Sequence, residues 1–392
     1  MAVQLTPKEW LLNLAAPLWL ECGIDKEKGG FFEVIEARDL RASGSVKRLR
    51  TVSRQIYVFC ELHKLGVAGA CNAVDHGLEF LLTRHARNDG SFYERVSCNG
   101  EPLDKNISLY DLSFVLFALA KAYSLSGETS LRVRAIALLD YLNRQLRHSR
   151  WGYMERFPAA GGREQNPHMH LLEAALAWLD NDADGPFRGL AISLLEALER
   201  HFFCPGLGIL SEFPENEDGS SVAIHRFEPG HHFEWIWLLD WAAAHHLPVP
   251  NISRILEKRA LVDGLSPQMH VPFGAVAIPG GPVEQECRIW QVTEWTRVAA
   301  LGLLENSLDH DVRSAQLMRR FMDFPVGGFW YERCRCVDGE MIEEPVKATS
   351  FYHVIGAIIA LIERADMKMT WALNTVSNHD RNVNASQEGV SW

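Results

Sequence analysis

The chain has 392 residues, 47% of them hydrophobic, with twelve tryptophans and a net charge of −11. That acidic balance argues against a nucleic-acid or anionic-membrane partner. Eight cysteines are scattered without a CxxC pair, and Cys334-Arg335-Cys336 has the wrong spacing for a zinc knuckle, so reduced thiols are expected.

The start, Met1-Ala2-Val3-Gln4-Leu5-Thr6-Pro7, has neither a basic n-region nor an apolar h-region, so no signal peptide is expected. No apolar run is expected to span a membrane, and the expected location is the cytoplasm. In chain order, one motif then recurs. A glycine is followed by aromatic or aliphatic residues alternating with polar ones, often closing on Glu. It appears as Gly29-Gly30-Phe31-Phe32-Glu33, Gly90-Ser91-Phe92-Tyr93-Glu94, Gly152-Tyr153-Met154-Glu155, Gly206-Leu207-Gly208-Ile209-Leu210-Ser211-Glu212 and Gly327-Gly328-Phe329-Trp330-Tyr331-Glu332. A degenerate copy is Phe273-Gly274-Ala275-Val276. Glycines recurring at about 60-residue intervals signal a repeat architecture, and each motif reads as a short hairpin or extended loop.

Between the motifs lie two helical segments per unit. The amphipathic, charged ones are 7–22, 72–87, 130–148, 187–202, 251–262 and 310–322; the more apolar ones are 51–64, 109–125, 168–179, 231–245, 289–305 and 350–364. The first set should face solvent and the second the interior. Six such pairs closing on themselves predict an all-α fold, an (α/α)6 barrel of six inner and six outer helices with hairpins or extended loops at one end. One domain is expected over residues 1–373. The polar, aperiodic stretch 374–392 is expected to be a disordered tail or an expression remnant.

Each inner helix carries its conspicuous polar or aromatic residues near its beginning. These are Arg54; Tyr110 and Asp111; Asn166 and His170; His231 and Glu234; Trp290 and Glu294; and His353. In a closed ring of parallel inner helices these positions converge on one mouth. Small residues beside His353 (Gly356, Ala357, Ala360) and His170 (Ala174, Ala177) leave room for a ligand or for a closely packed helix. No phosphate loop, dinucleotide fingerprint or nucleophile elbow is present. Two histidines facing one cavity suit proton abstraction beside a carbonyl and its return elsewhere, because an unperturbed imidazole titrates near about 6.5. Arg54 is placed to hold a developing enediolate oxygen. The stripe Trp235, Trp237, Trp241 reads as core and cavity wall, and His168 and His232 point elsewhere on their helices.

Five motifs carry a resemblance that covers essentially the whole chain short of the tail. They are Arg54-Gln55-Ile56-Tyr57-Val58-Phe59, Asn166-Pro167-His168-Met169-His170-Leu171-Leu172-Glu173, Pro229-Gly230-His231-His232-Phe233-Glu234-Trp235, Trp290-Gln291-Val292-Thr293-Glu294 and Tyr352-His353-Val354. In this order and spacing the chain resembles the N-acylglucosamine 2-epimerase superfamily, whose fold is the (α/α)6 barrel. The resemblance implies a metal-free, cofactor-free proton transfer through a cis-enediol on a monosaccharide. His353 would be the base at C2, and His231, oriented by Glu234, would assist ring opening and shuttle protons. Arg54, Asn166 and His170 would bind sugar hydroxyls, while Tyr110, Met169, Trp290 and Glu294 would complete the substrate pocket. Tyr57-Val58-Phe59 is closer to the mannose and sulfoquinovose isomerases of that superfamily than to its epimerases. Ile355 and Arg50 depart from the sulfoquinovose pattern, which favours a plain hexose: D-mannose to D-fructose, with D-lyxose and D-talose as further substrates. A 2-epimerase is the alternative outcome. An inverting glycoside hydrolase, needing two carboxylates among Glu234, Glu294 and Asp111, and a metal-dependent site on His231, Glu234 and His353 are weighed beside it. The number of subunits is left open, a homodimer included.

Overall fold

The computed structural model describes residues 5–158, 162–216, 220 and 222–365; the tail at 374–392 lies outside the described residues. The inner helices are Leu49–Lys64, Leu109–Ser126, Gln165–Leu179, Pro229–Ala244, Ile289–Ala300 and Ala348–Ala365, the last opening with a 3-10 turn. The outer helices are residues 7–22, 70–85, Thr129–Gln145, 187–202, Ser253–Val262 and Ser307–Met322, and π-helical turns interrupt three of them. The predicted (α/α)6 barrel is therefore present, with twelve helices among the described residues.

The inner helices are buried on nearly every side, as their unbroken apolar faces require. The first five each pack on the outer helix that follows in the chain. The ring closes through its two ends. Trp19 of the first outer helix lies 5.3 Å from Phe351 of the last inner helix and stacks at 5.3 Å on Trp330, and strand Val34–Glu36 pairs antiparallel with Val346–Lys347. Two inner helices, Leu109–Ser126 and Ala348–Ala365, do reach membrane-spanning length and hydropathy, which corrects the expectation that no run would. Both are mostly buried inside the barrel, where the same apolar composition serves as core.

The glycine motifs are the hairpin ends. Gly30 shows why glycine recurs: its φ is +69°, and a Cβ there would lie 2.8 Å from the Phe80 ring. The glutamate that closes each motif has a definite duty. Glu33 accepts from the backbone N–H of Arg48 (2.6 Å) and from the Thr51 hydroxyl (2.8 Å). Glu332 accepts in the same way from the N–H of Lys347 (2.8 Å) and the Ser350 hydroxyl (2.7 Å). Both carboxylates thus satisfy donors at the start of an inner helix. The barrel mouth is built by these caps.

Candidate active site

A cavity of about 530 Å³ opens at that mouth, lined by Arg54, Tyr110, Asn166, His170, His231, Glu234, Trp290 and His353 from the starts of all six inner helices. Residues 288, 332–333, 344, 347 and 349–350 complete the wall. Eight of the ten expected site residues therefore converge. The other two do not line the cavity. Met169 is fully buried, one residue round the helix from His170, and its sulfur faces Gln165 Nε2 at 3.6 Å. Glu294 lies behind the wall, holding an imidazole rather than the cavity contents.

Three imidazoles on the wall share one arrangement. His353 Nδ1 donates to Glu294 Oε1 (2.7 Å), His231 Nδ1 to Glu212 Oε1 (2.9 Å) and His170 Nδ1 to Glu173 Oε2 (3.1 Å). A carboxylate on Nδ1 fixes the tautomer and leaves Nε2 as the nitrogen that meets a ligand. This corrects the expected pairing of His231 with Glu234. His231 occupies the position at which Thr51 and Ser350 take the motif glutamate in their own repeats, so its partner is the motif glutamate Glu212. The Glu234 side chain instead leans toward the neighbouring helix, 3.7 Å from His170 Nδ1, with both oxygens buried and without a hydrogen-bond partner.

The electrostatics divide the imidazoles. Burial alone would lower the His231 pKa, but Glu212 and Glu228 outweigh it and hold the ring up at about 9. His353 is pushed well below the usual histidine range by burial, with Arg54 and His170 adding to the effect. Burial, with Glu294 and Glu173 nearby, drives Glu234 well above the carboxylate range. The Arg297 guanidinium, 3.6 Å from the Trp237 ring, supplies the positive charge behind the buried carboxylates. It also answers what the small residues beside His353 are for: Gly356 lies against the Arg297 guanidinium, so that space serves close packing.

Trp290 ties the two sides together. Its ring is 4.9 Å from His231 and 5.7 Å from His353. Gly230 makes room for it, since a Cβ there would lie 2.5 Å from the indole. Arg54 donates to the Tyr110 hydroxyl (2.7 Å) and the Thr349 hydroxyl (2.8 Å), its guanidinium 4.1 Å from the Phe114 ring. Asn166 lines the cavity, and its buried Oδ1 has no hydrogen-bond partner among the described residues. His168 and His232 are structural, as expected: each accepts a backbone N–H through Nε2, from Tyr153 (2.9 Å) and Leu210 (3.1 Å).

Three His/Glu groups have ligand atoms within 4.8 Å of one another and could hold a metal: His170, Glu173 and Glu234; Glu234, Glu294 and His353; Glu212, Glu228 and His231. The carboxylate pair of an inverting hydrolase is not formed, because Glu294 is committed to His353 and Trp237, and Asp111 to Arg50 at 3.4 Å. Glu173, Glu212, Glu228 and Arg297 were missed from sequence. The signal for Glu212 was present in the repeat motif it closes.

The family model for N-acylglucosamine 2-epimerase (GlcNAc 2-epimerase) matches residues 30–357. The chain is 31% identical over 378 residues to a mannose-6-phosphate isomerase of Rhizobium meliloti, covering 90% of this chain and 95% of that protein. Among solved structures it resembles the cellobiose 2-epimerase from Spirochaeta thermophila (TM-score 0.81, 20% identity, 93% and 96% of the two chains). It also resembles a D-mannose isomerase (TM-score 0.79, 19% identity, 93% and 99%). At these identities the two structures speak for the fold.

Proposed function

The chain belongs to the N-acylglucosamine 2-epimerase family, and from that premise we propose that it is an aldose–ketose isomerase converting D-mannose to D-fructose without a metal. The observation that carries this reading is that His231 and His353 meet on one cavity wall on either side of Trp290, each with a carboxylate on Nδ1, the first pushed up to about 9 and the second well below the usual histidine range.

The chemistry follows from those states. Protonated His231 donates to the ring oxygen and opens the pyranose. Neutral His353 takes the C2 proton through Nε2, its imidazolium then stabilised by Glu294. Arg54 lies beside the enediolate oxygen, and Asn166 and His170 receive the remaining hydroxyls. His353, whose imidazolium proton exchanges with solvent, then delivers a proton to C1 while the O2 hydroxyl proton passes to O1 by way of His231, which gives the ketose with no net redox change. Glu234 lines the same cavity, and the burial that raises its pKa favours the neutral acid, which can donate a hydrogen bond to the sugar. A metal is not called for in this scheme: Glu173, Glu212 and Glu294 are each already engaged by an imidazole.

The nearly full-length relative named for mannose-6-phosphate isomerisation supports an isomerase, and the likeness to a cellobiose 2-epimerase is the reason to test the alternative. Incubation with D-mannose after exhaustive chelation, with a ketose assay, tests the proposal. Fructose should form at the unchelated rate. Formation of glucose without fructose would establish the epimerase instead.

A further inference from the structure

The outer wall of the cavity is charged, and its charges are matched. Arg333 lays its fork on Glu344 (Nε to Oε1 2.6 Å, Nη2 to Oε2 3.2 Å) and turns Nη1 to Glu286 (2.6 Å). Lys347 Nζ lies 3.5 Å from Glu344 Oε2. Arg288 pairs with Glu284 at 3.4 Å, and Arg226 bridges Glu284 (2.6 Å) and Glu228 (3.6 Å). Four cations thus meet four carboxylates, and of these eight groups Arg288, Arg333, Lys347 and Glu344 line the cavity itself. The side chains of Arg333 and Glu344 are 33% and 17% exposed, against 5% and 6% for His231 and His353, so this network sits outward of the imidazoles.

We propose that Glu344 is the specificity-determining residue that keeps sugars phosphorylated at C6 out of this site. The inference rests on the isomerase reading: reaction at C1 and C2 puts that end of the sugar between the deep imidazoles and sends C6 toward the rim. A phosphate monoester there carries about 1.5 to 2 negative charges at neutral pH. Of the rim cations a phosphate would seek, Glu344 occupies Arg333 and Lys347, while Arg288 is turned to Glu284 at 3.4 Å. Bidentate guanidinium–carboxylate pairing is strong and directional. A phosphate must either displace Glu344 or lie against it as a like charge. Burial alone would raise the Glu344 pKa, yet Arg333 and Lys347 outweigh it and hold it below the usual range, so the carboxylate is charged across the working pH. An uncharged hexose meets no such opposition.

The test compares kcat/KM for D-mannose and D-mannose 6-phosphate in the wild type, Glu344→Gln and Glu344→Asp. The wild type should favour mannose by at least roughly tenfold, the scale of a like-charge contact at a partly exposed rim. Glu344→Gln should cut that preference by roughly tenfold, mainly through a lower KM for the phosphorylated sugar, as two cations are released. Glu344→Asp keeps the charge and should keep the wild-type preference, which also separates a charge effect from a folding defect. Equal or better use of the phosphorylated sugar by the wild type, or an unchanged ratio in Glu344→Gln, overturns the proposal while leaving an isomerase. Turnover of neither sugar by the wild type would instead overturn the isomerase reading on which it rests.

Discussion

His353 Nδ1 and Glu294 Oε1 are 2.7 Å apart, joined across the fifth and sixth inner helices and both buried. Trp237 holds the other carboxylate oxygen at 2.8 Å, so Glu294 is oriented as firmly as the imidazole it orients. Such a pair sets the tautomer of the ring before a substrate arrives. Glu294→Gln keeps the shape and permits the wrong tautomer. The expected outcome is a fall in kcat of roughly 10² to 10⁴, the range for mispositioning one acid–base group, with KM little changed. Steady-state kinetics on mannose check it.

The pH profile should be broad and asymmetric about neutrality. The base works deprotonated, so kcat/KM falls on the acid side only as pH drops through a His353 pKa well below the usual histidine value. The acid works protonated, so the alkaline limb falls as pH rises through about 9. Glu212→Gln removes the contact that raises His231 and should move the alkaline limb to lower pH while leaving the acid limb in place. A pH series of kcat/KM for both proteins measures this.

His168 sits two residues, and His232 one residue, from cavity-lining positions, yet both serve the backbone. His168→Gln and His232→Gln should lower the thermal midpoint and leave kcat within a few-fold of wild type. Both buried rings leave a backbone donor unsatisfied when lost, which costs about 1 to 3 kcal/mol. Thermal melts and mannose kinetics on each variant separate the two effects.

A second stability prediction concerns Lys47, whose ammonium is buried at 2.7 Å from Asp25 and also reaches the Gly29 carbonyl. Lys47→Met strands a buried carboxylate, at a cost of about 3 to 5 kcal/mol. The Asp25 pKa is lowered: burial opposes this, and the Lys47 contact and the backbone donors of Lys28 and Glu27 outweigh it. A depressed carboxylate gives stability that is present above its unfolded pKa and lost as pH falls through the folded value. The wild type should therefore lose more stability than Lys47→Met on acidification, which denaturant titrations at two pH values would show.

The repeat made most of the architecture legible, because alternating amphipathic and apolar helices at a fixed period have few ways to close. Boundaries drifted where local turns intervened. The fifth inner helix ends at Ala300 rather than at 305 because Gly302, at φ +74°, turns the chain and donates to the Ala299 carbonyl. The deep part of the cavity wall was legible for a similar reason, since its eight expected members open inner helices. The partners of the imidazoles were not. Glu234 is the near neighbour of His231 along the helix, but the real contacts run between elements, from His231 to a residue 19 positions away and from His353 to one 59 away. Helical spacing ranks neighbours on one helix and says nothing of which hairpin glutamate arrives from outside. The rim charges were invisible for the same reason: Arg288, Arg333, Glu344 and Lys347 belong to strands and connections that meet only when neighbouring repeats pair.

The central claim is that His231 and His353 manage protons on one sugar, and deuterium tracing tests it most directly. D-Mannose incubated with the enzyme in D2O and followed by NMR should give fructose labelled at C1, with no labelled product from His353→Ala. Deuterium at C2 of glucose, or labelled fructose formed by His353→Ala at the wild-type rate, would contradict the account.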